Sequence, residues 1–192
     1  PAASTAKPVA YNKEKMQERD ITVGADDFKL PGMLTLPVGK KKAPVVILVH
    51  GSGPQDRDET VGPNKPFRDL AWGLAERGIA TVRYDKRTKV YGAACVPIDK
   101  SSTVLTILLA FIFLVAIIAW AKELPEVDAD SVYVLGHSLG ATLAPRIAEQ
   151  ADGLTGIILV AALARPFEDA IVEQMTYISS LTDSSANAKK QI

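Results

Sequence analysis

Ser131-Val132-Tyr133-Val134-Leu135-Gly136-His137-Ser138-Leu139-Gly140-Ala141-Thr142-Leu143-Ala144 is the stretch on which the reading of the chain turns. Val132 to Leu135 is a short apolar run of the kind that forms a strand covered on both faces. Gly136-His137-Ser138-Leu139-Gly140 then gives a G-x-S-x-G, after which Leu139, Leu143, Ile147 and Ala148 recur at helical spacing. A strand, a G-x-S-x-G and a helix in that order make the context of a nucleophile elbow. A side chain at position 136 or 140 would crowd so sharp a turn, hence the glycines. The turn is expected to lift the Ser138 hydroxyl to the positive end of the helix, where developing negative charge is favoured.

Outward from this stretch the chain alternates strands and helices. Asp20–Val23 and Phe28–Pro37 read as two strands joined by a Gly24–Asp27 turn, with Pro31 and Pro37 arguing for an edge position. Ala43 to His50 is a nearly continuous apolar strand that runs into the loop Gly51 to Glu59. Pro66 to Arg77 reads as a helix stopped by Gly78, Ile79 to Asp85 as the next strand, and Lys86 to Asp99 as a polar loop. Gly156 to Ala162 is a further buried strand. A last helix opens at Arg165-Pro166, with a polar tail from Thr182. Strands alternating with helices predict an α/β fold, a three-layer sandwich around a mostly parallel sheet. On this reading 1–19 is an N-terminal linker, 20–165 the core, and 166–192 the start of a lid helix with its tail.

Composition narrows the function. Lys plus Arg equals Asp plus Glu at 22 each, so nothing favours a nucleic-acid partner. A single cysteine, Cys95, and two histidines, His50 and His137, allow no intrachain disulfide and make a Cys- or His-based metal site implausible. No metal and no organic cofactor are expected. The chain opens on Pro1 rather than Met, so a start removed by processing or by cloning is expected. Cytoplasmic and secreted or periplasmic locations both stay open.

Three motifs together resemble the α/β-hydrolase superfamily, in particular bacterial serine esterases related to dienelactone hydrolases and prolyl-oligopeptidase-like peptidases. They are His50-Gly51-Ser52-Gly53-Pro54-Gln55-Asp56-Arg57-Asp58, Arg83-Tyr84-Asp85-Lys86-Arg87 and the elbow itself, in family order from about Ile21 to Phe167. The resemblance implies Ser138 as the nucleophile toward a small-molecule ester. It implies an oxyanion hole made by the backbone N–H of Leu139 and one from Ser52 or Gly53. His50, Asp85, Gly136 and Gly140 would then support the site structurally.

Two features depart from that pattern. The order of such a triad is Ser, then Asp or Glu, then His. Carboxylates follow Ser138, Glu168 and Asp169 among them, but no histidine does. The acid and the base are therefore expected to be missing through truncation, leaving an incomplete core. The alternative is a non-catalytic hydrolase-like module that assembles or attaches to membrane. The second departure is Ser101 to Ala121, which carries no charge and at roughly 20 residues is long enough to span a bilayer. A crossover helix with its outer face covered by another subunit or apolar partner, a membrane span, and an altered segment are the three readings. A span would separate strands that should share one sheet.

Overall fold

The computed structural model describes residues 10–24, 29–92 and 103–189, with side chains described except at 103–111, 167–168 and 182–189. In chain order the strands are β1 (Met16–Val23), β2 (Leu30–Pro37), β3 (Ala43–Val49), β4 (Ala80–Tyr84), β5 (Val127–His137) and β6 (Gly156–Val160). The helices are α1 (Pro66–Ala75), α2 (Arg87–Tyr91), α3 (Thr103–Lys122), α4 (Leu139–Gln150) and α5 (Phe167–Lys189). The strands form one sheet in the order β1-β2-β4-β3-β5-β6. β1 and β2 are antiparallel to their neighbours, and β4, β3, β5 and β6 run parallel.

Alternation along β3 divides the core into two layers. Val45, Ile47 and Val49 face a cluster with Leu114, Ile117 and Ile118 of α3 and Ala144 and Ile147 of α4. Val46 and Leu48 face the other side, against Phe67, Leu70 and Leu74 of α1. Helices thus cover both faces of a central strand, which explains why β3 reads as uninterrupted apolar sequence. The expected three-layer α/β sandwich is what forms.

Several boundaries differ from the sequence reading. β1 begins at Met16, inside the stretch read as linker. Its residues Gln17 to Asp20 are exposed on an outer strand and carry no apolar alternation, yet they pair in register with Met33 to Leu36. β2 is not an edge strand, for β1 covers one side and β4 the other. Its prolines are tolerated because β4 pairs only with Gly32 to Thr35, leaving Pro31 and Pro37 outside the doubly bonded segment. α2 occupies part of the loop expected at 86–99, and α5 continues to Lys189 through the stretch read as a polar tail. Most of the Gly24–Asp27 turn, Phe28 and Cys95 lie outside the described residues.

α3 connects β4 to β5 across β3, in the same sheet, so it is a crossover helix. Among the described residues no helix is long and apolar enough to cross a membrane, and the reading of 101–121 as a span is withdrawn. Leu114, Ile117, Ile118 and Ala121 are buried at helical spacing against the sheet, while Ile112, Ala116 and Ala119 face outward. Beyond Ile112, the outward positions Ala116 and Ala119 are small and leave the C-terminal turns of the helix less in need of cover than its hydropathy implied. Besides Ile112, large apolar side chains are exposed at Ile158, Leu159 and Val160 of β6 and at Ile171, Val172, Met175 and Ile178 of α5.

Seating of α3 can be measured. Ile117→Asn should lower the unfolding free energy by about 3 kcal/mol, through lost packing and a stranded buried amide. Ala116→Ser, one residue away on the outward face, should stay within about 0.5 kcal/mol of wild type. Urea unfolding followed by tryptophan fluorescence would read both, and equal costs would show that the helix is not seated this way.

Candidate functional site

The C-terminal ends of β3, β4 and β5 meet at one rim of the sheet, the usual place for a site in an open parallel sheet. Ser138 ends the β5 side. It has φ 52° and ψ −113°, a backbone conformation unfavourable for any residue with a side chain. Three hydrogen bonds hold it there. Its N–H donates to Val160 O at the end of β6 (2.9 Å). Its carbonyl accepts from Thr142 N (3.0 Å) and Thr142 Oγ1 (3.1 Å). The hydroxyl does not cap α4, and Ser138 is half-buried.

The glycines flanking it are required by distance. A Cβ on Gly136 would lie 2.3 Å from Gly140 O, and one on Gly140 would lie 2.4 Å from Val49 O and 2.7 Å from His50 O. Both contacts are with backbone, so nothing nearby can give way.

The loop after β3 meets the elbow from the other side. The point where a Gly51 Cβ would sit is 3.4 Å from Ser138 Cβ, 3.1 Å from Glu59 Oε1 and 3.3 Å from His137 Nδ1. Ser52 and Gly53 follow and are exposed, Gly53 with φ 85°. Gln55 Nε2 donates to Ser52 O (3.0 Å) and Gln55 N to Gly53 O (3.1 Å). Among the described residues Ser52 N and Gly53 N donate to no other group, and neither does Leu139 N at the start of α4.

His50 is buried between Phe67 and Tyr84, whose rings lie 5.4 Å and 5.0 Å from its own. Burial, reinforced by the positive charge of Lys86, pulls its pKa down to about 4, against the opposing pull of Asp56 and Asp85. It is a neutral ring inside the loop. His137 Nδ1 lies 3.0 Å from Glu59 Oε1. Neither imidazole is hydrogen-bonded to Ser138 Oγ.

Asp85, just past β4, holds the loop through Arg57. Oδ1 accepts from Arg57 N (2.8 Å) and Nε (3.1 Å), and Oδ2 accepts from Nη2 (3.0 Å). Burial pushes the Asp85 carboxyl up, but the Arg57 hydrogen bonds and charge outweigh it and leave it below its ordinary 3.8. Arg57 Nη1 also reaches Gly32 O (2.9 Å), which ties the loop to β2.

Glu59, Lys86 and Arg57 went without roles in the sequence reading. Glu59 is buried with φ 52°, and its Oε1 accepts Gly51 N–H at 2.7 Å. Lys86 Nζ donates to Gly51 O at 2.6 Å. No periodicity marks these residues, because their partners come from other elements. Asp169 lies exposed at the start of α5, and the Glu168 side chain is outside the described residues. Among the described residues no three of His, Cys, Asp and Glu gather as metal ligands.

No family model matches the chain. It is 42% identical over 174 residues to esterase EstD of Thermotoga maritima, covering 91% of this chain and 39% of that protein's length. Acetyl xylan esterase 1 from Thermoanaerobacterium sp. superposes with a TM-score of 0.64 at 15% identity, over 92% of this chain and 58% of that one. A dienelactone hydrolase-like promiscuous phosphotriesterase from metagenomic libraries gives 0.57 at 21% identity, over 81% and 64%. Brefeldin A esterase, a bacterial homologue of human hormone-sensitive lipase, gives 0.56 at 19% identity, over 90% and 48%.

The Asp85–Arg57 clamp has an acid signature. With the folded pKa depressed, its stabilisation is present above the unfolded value and is lost as pH falls through the folded one. Asp85→Asn should therefore cost stability near neutral pH and flatten the loss as pH falls below about 4. Thermal midpoints of the two proteins from neutral pH down through that acid range would check it. Parallel curves would show that Asp85 is not a source of the acid sensitivity.

Proposed function

We propose a function from one premise, that the chain belongs to the α/β-hydrolase superfamily: it carries the nucleophile half of a serine carboxylic-ester hydrolase. The observation that carries this reading is the Ser138 elbow, a strained residue with an uncommitted hydroxyl against the Gly51 loop. Similarity to an esterase supports the substrate class, though the chain spans 39% of that relative's length.

In the proposed reaction Ser138 Oγ attacks the ester carbonyl carbon and gives up its proton to a base. The oxyanion accepts hydrogen bonds from Leu139 N–H and from Ser52 or Gly53 N–H, donors that in such sites contribute about 3 kcal/mol each. Collapse expels the alcohol with a proton and leaves an acyl group on Ser138. Water then attacks the acyl carbon, releasing the acid and restoring the hydroxyl. His50, Asp85, Gly136 and Gly140 support this geometry, while neither histidine of the chain acts as the base. His50 is packed away between two rings and His137 is turned to Glu59. Turnover by this chain alone should be slow.

A second reading, a hydrolase-like module without catalysis, rests on the placement of the two histidines, His50 packed between Phe67 and Tyr84 and His137 turned to Glu59. Labelling with a fluorophosphonate separates the two. The folded chain should be modified at Ser138, with slow release of p-nitrophenol from p-nitrophenyl acetate, and Ser138→Ala should abolish both. A folded sample that takes up no label at Ser138 would overturn the esterase reading in favour of the second.

A further inference from the structure

We infer that Glu59 is a positioning residue that ties the oxyanion loop to the nucleophile elbow through a single carboxylate oxygen. The inference rests on the esterase reading for its chemical consequence, and on geometry alone for the tie itself.

Glu59 Oε1 meets two parts of the chain that otherwise touch only side by side. It accepts Gly51 N–H (2.7 Å) from the loop after β3 and lies 3.0 Å from Nδ1 of His137, the residue before Ser138. One oxygen thus bridges the loop and the elbow across the gap that the glycine contacts set. Lys86 Nζ takes the other end of the same residue, at Gly51 O (2.6 Å). In a trans peptide the carbonyl oxygen and the next N–H point in opposite directions. Holding Gly51 O toward Lys86 therefore aims the Ser52 N–H away from Lys86, and Glu59 stops residue 51 from rotating out of that setting.

The cost of the arrangement argues for a purpose. A carboxylate only 4% exposed is expensive to desolvate, and φ 52° is strained for a side chain of this size. A loop needing only to close could have placed a glycine and a water there. Instead the Glu59 carboxyl stands there, held by Gly51 and His137. Asp56 prepares the turn that delivers it, with Oδ1 accepting from Asp58 N (3.1 Å) and Thr60 N (3.0 Å).

The test compares wild type, Glu59→Ala, Glu59→Gln, His137→Ala and the Glu59→Ala/His137→Ala double variant. Fluorophosphonate inactivation gives a binding constant and a limiting labelling rate, and amide NMR gives the Gly51 and Ser52 resonances. Glu59→Ala should slow the limiting rate about tenfold or more, which corresponds to ~1.4 kcal/mol, with the binding constant unchanged. Glu59→Gln keeps an acceptor oxygen and should recover part of the rate. His137→Ala should cost less than Glu59→Ala, and the double variant no more than Glu59→Ala, since both contacts converge on one oxygen. A role in stability alone would lower the thermal midpoint and leave the limiting rate as it was. The tie is overturned if Glu59→Ala leaves the Gly51 and Ser52 amide resonances in place. If those move but no protein labels, wild type included, the tie stands and the esterase reading falls.

Discussion

Everything at the rim depends on the approach of three backbones at distances no side chain permits. Gly140, in the first turn of α4, packs on the carbonyls of Val49 and His50, and Gly136 packs on Gly140. These contacts bring the end of β3, the end of β5 and the start of α4 together. The rest follows from that meeting. Gly51 has to come next to Ser138, the helix N-terminus has to point at the gap between them, and Ser138 has to take the one torsion that connects strand to helix. Two glycines in a five-residue segment are enough to specify it, because the alternative is a steric clash rather than a weaker preference.

Around this centre the charges are organised by element, not by sequence neighbourhood. Arg83 lies buried on β4, reaching Asp58 of the loop, Glu18 of β1 and Thr35 of β2. Arg57 reaches from the loop to Asp85 and Gly32. Three charged residues of the Asp56–Glu59 segment therefore meet partners on different strands, Arg57 at Gly32 of β2, Asp58 at Arg83 of β4 and Glu59 at His137 of β5. Removing any one of them would strand its partner, at a cost of about 1–3 kcal/mol for a buried hydrogen-bonding group. A segment that looks like a solvated loop in sequence is thus among the better anchored parts of the molecule.

That difference explains what could be read in advance. The elbow, the central strand and the layer order were legible because each rests on a local rule: glycine where space vanishes, unbroken apolar residues where both faces are covered, helical spacing beyond. α3 was ambiguous because hydropathy counts residues and not neighbours. Only its position between β4 and β5 shows that Ile117 is inward and Ala116 outward. Pro31 and Pro37 misled for a similar reason, since a strand can be interior yet doubly paired over only part of its length. Glu59 carried no local signal at all. Its meaning lies in Gly51, eight positions back, and in His137, on another element.

Glu59, Ser138 and Ala161 share one property: among the described residues they are the non-glycine positions with positive φ, at 52°, 52° and 54°. Ser138 and Ala161 are joined through Val160, whose carbonyl takes the Ser138 N–H, and Glu59 reaches the residue before Ser138. Each such torsion costs of order 1–3 kcal/mol, and all are gathered at one edge of a fold that could have spread them out. A protein engineer seeking heat resistance would be drawn to these positions, glycine being the obvious relief for each. At Ala161 that relief removes only a methyl group. At Ser138 it removes the hydroxyl itself, so there durability and reactivity compete for the same bond rotation.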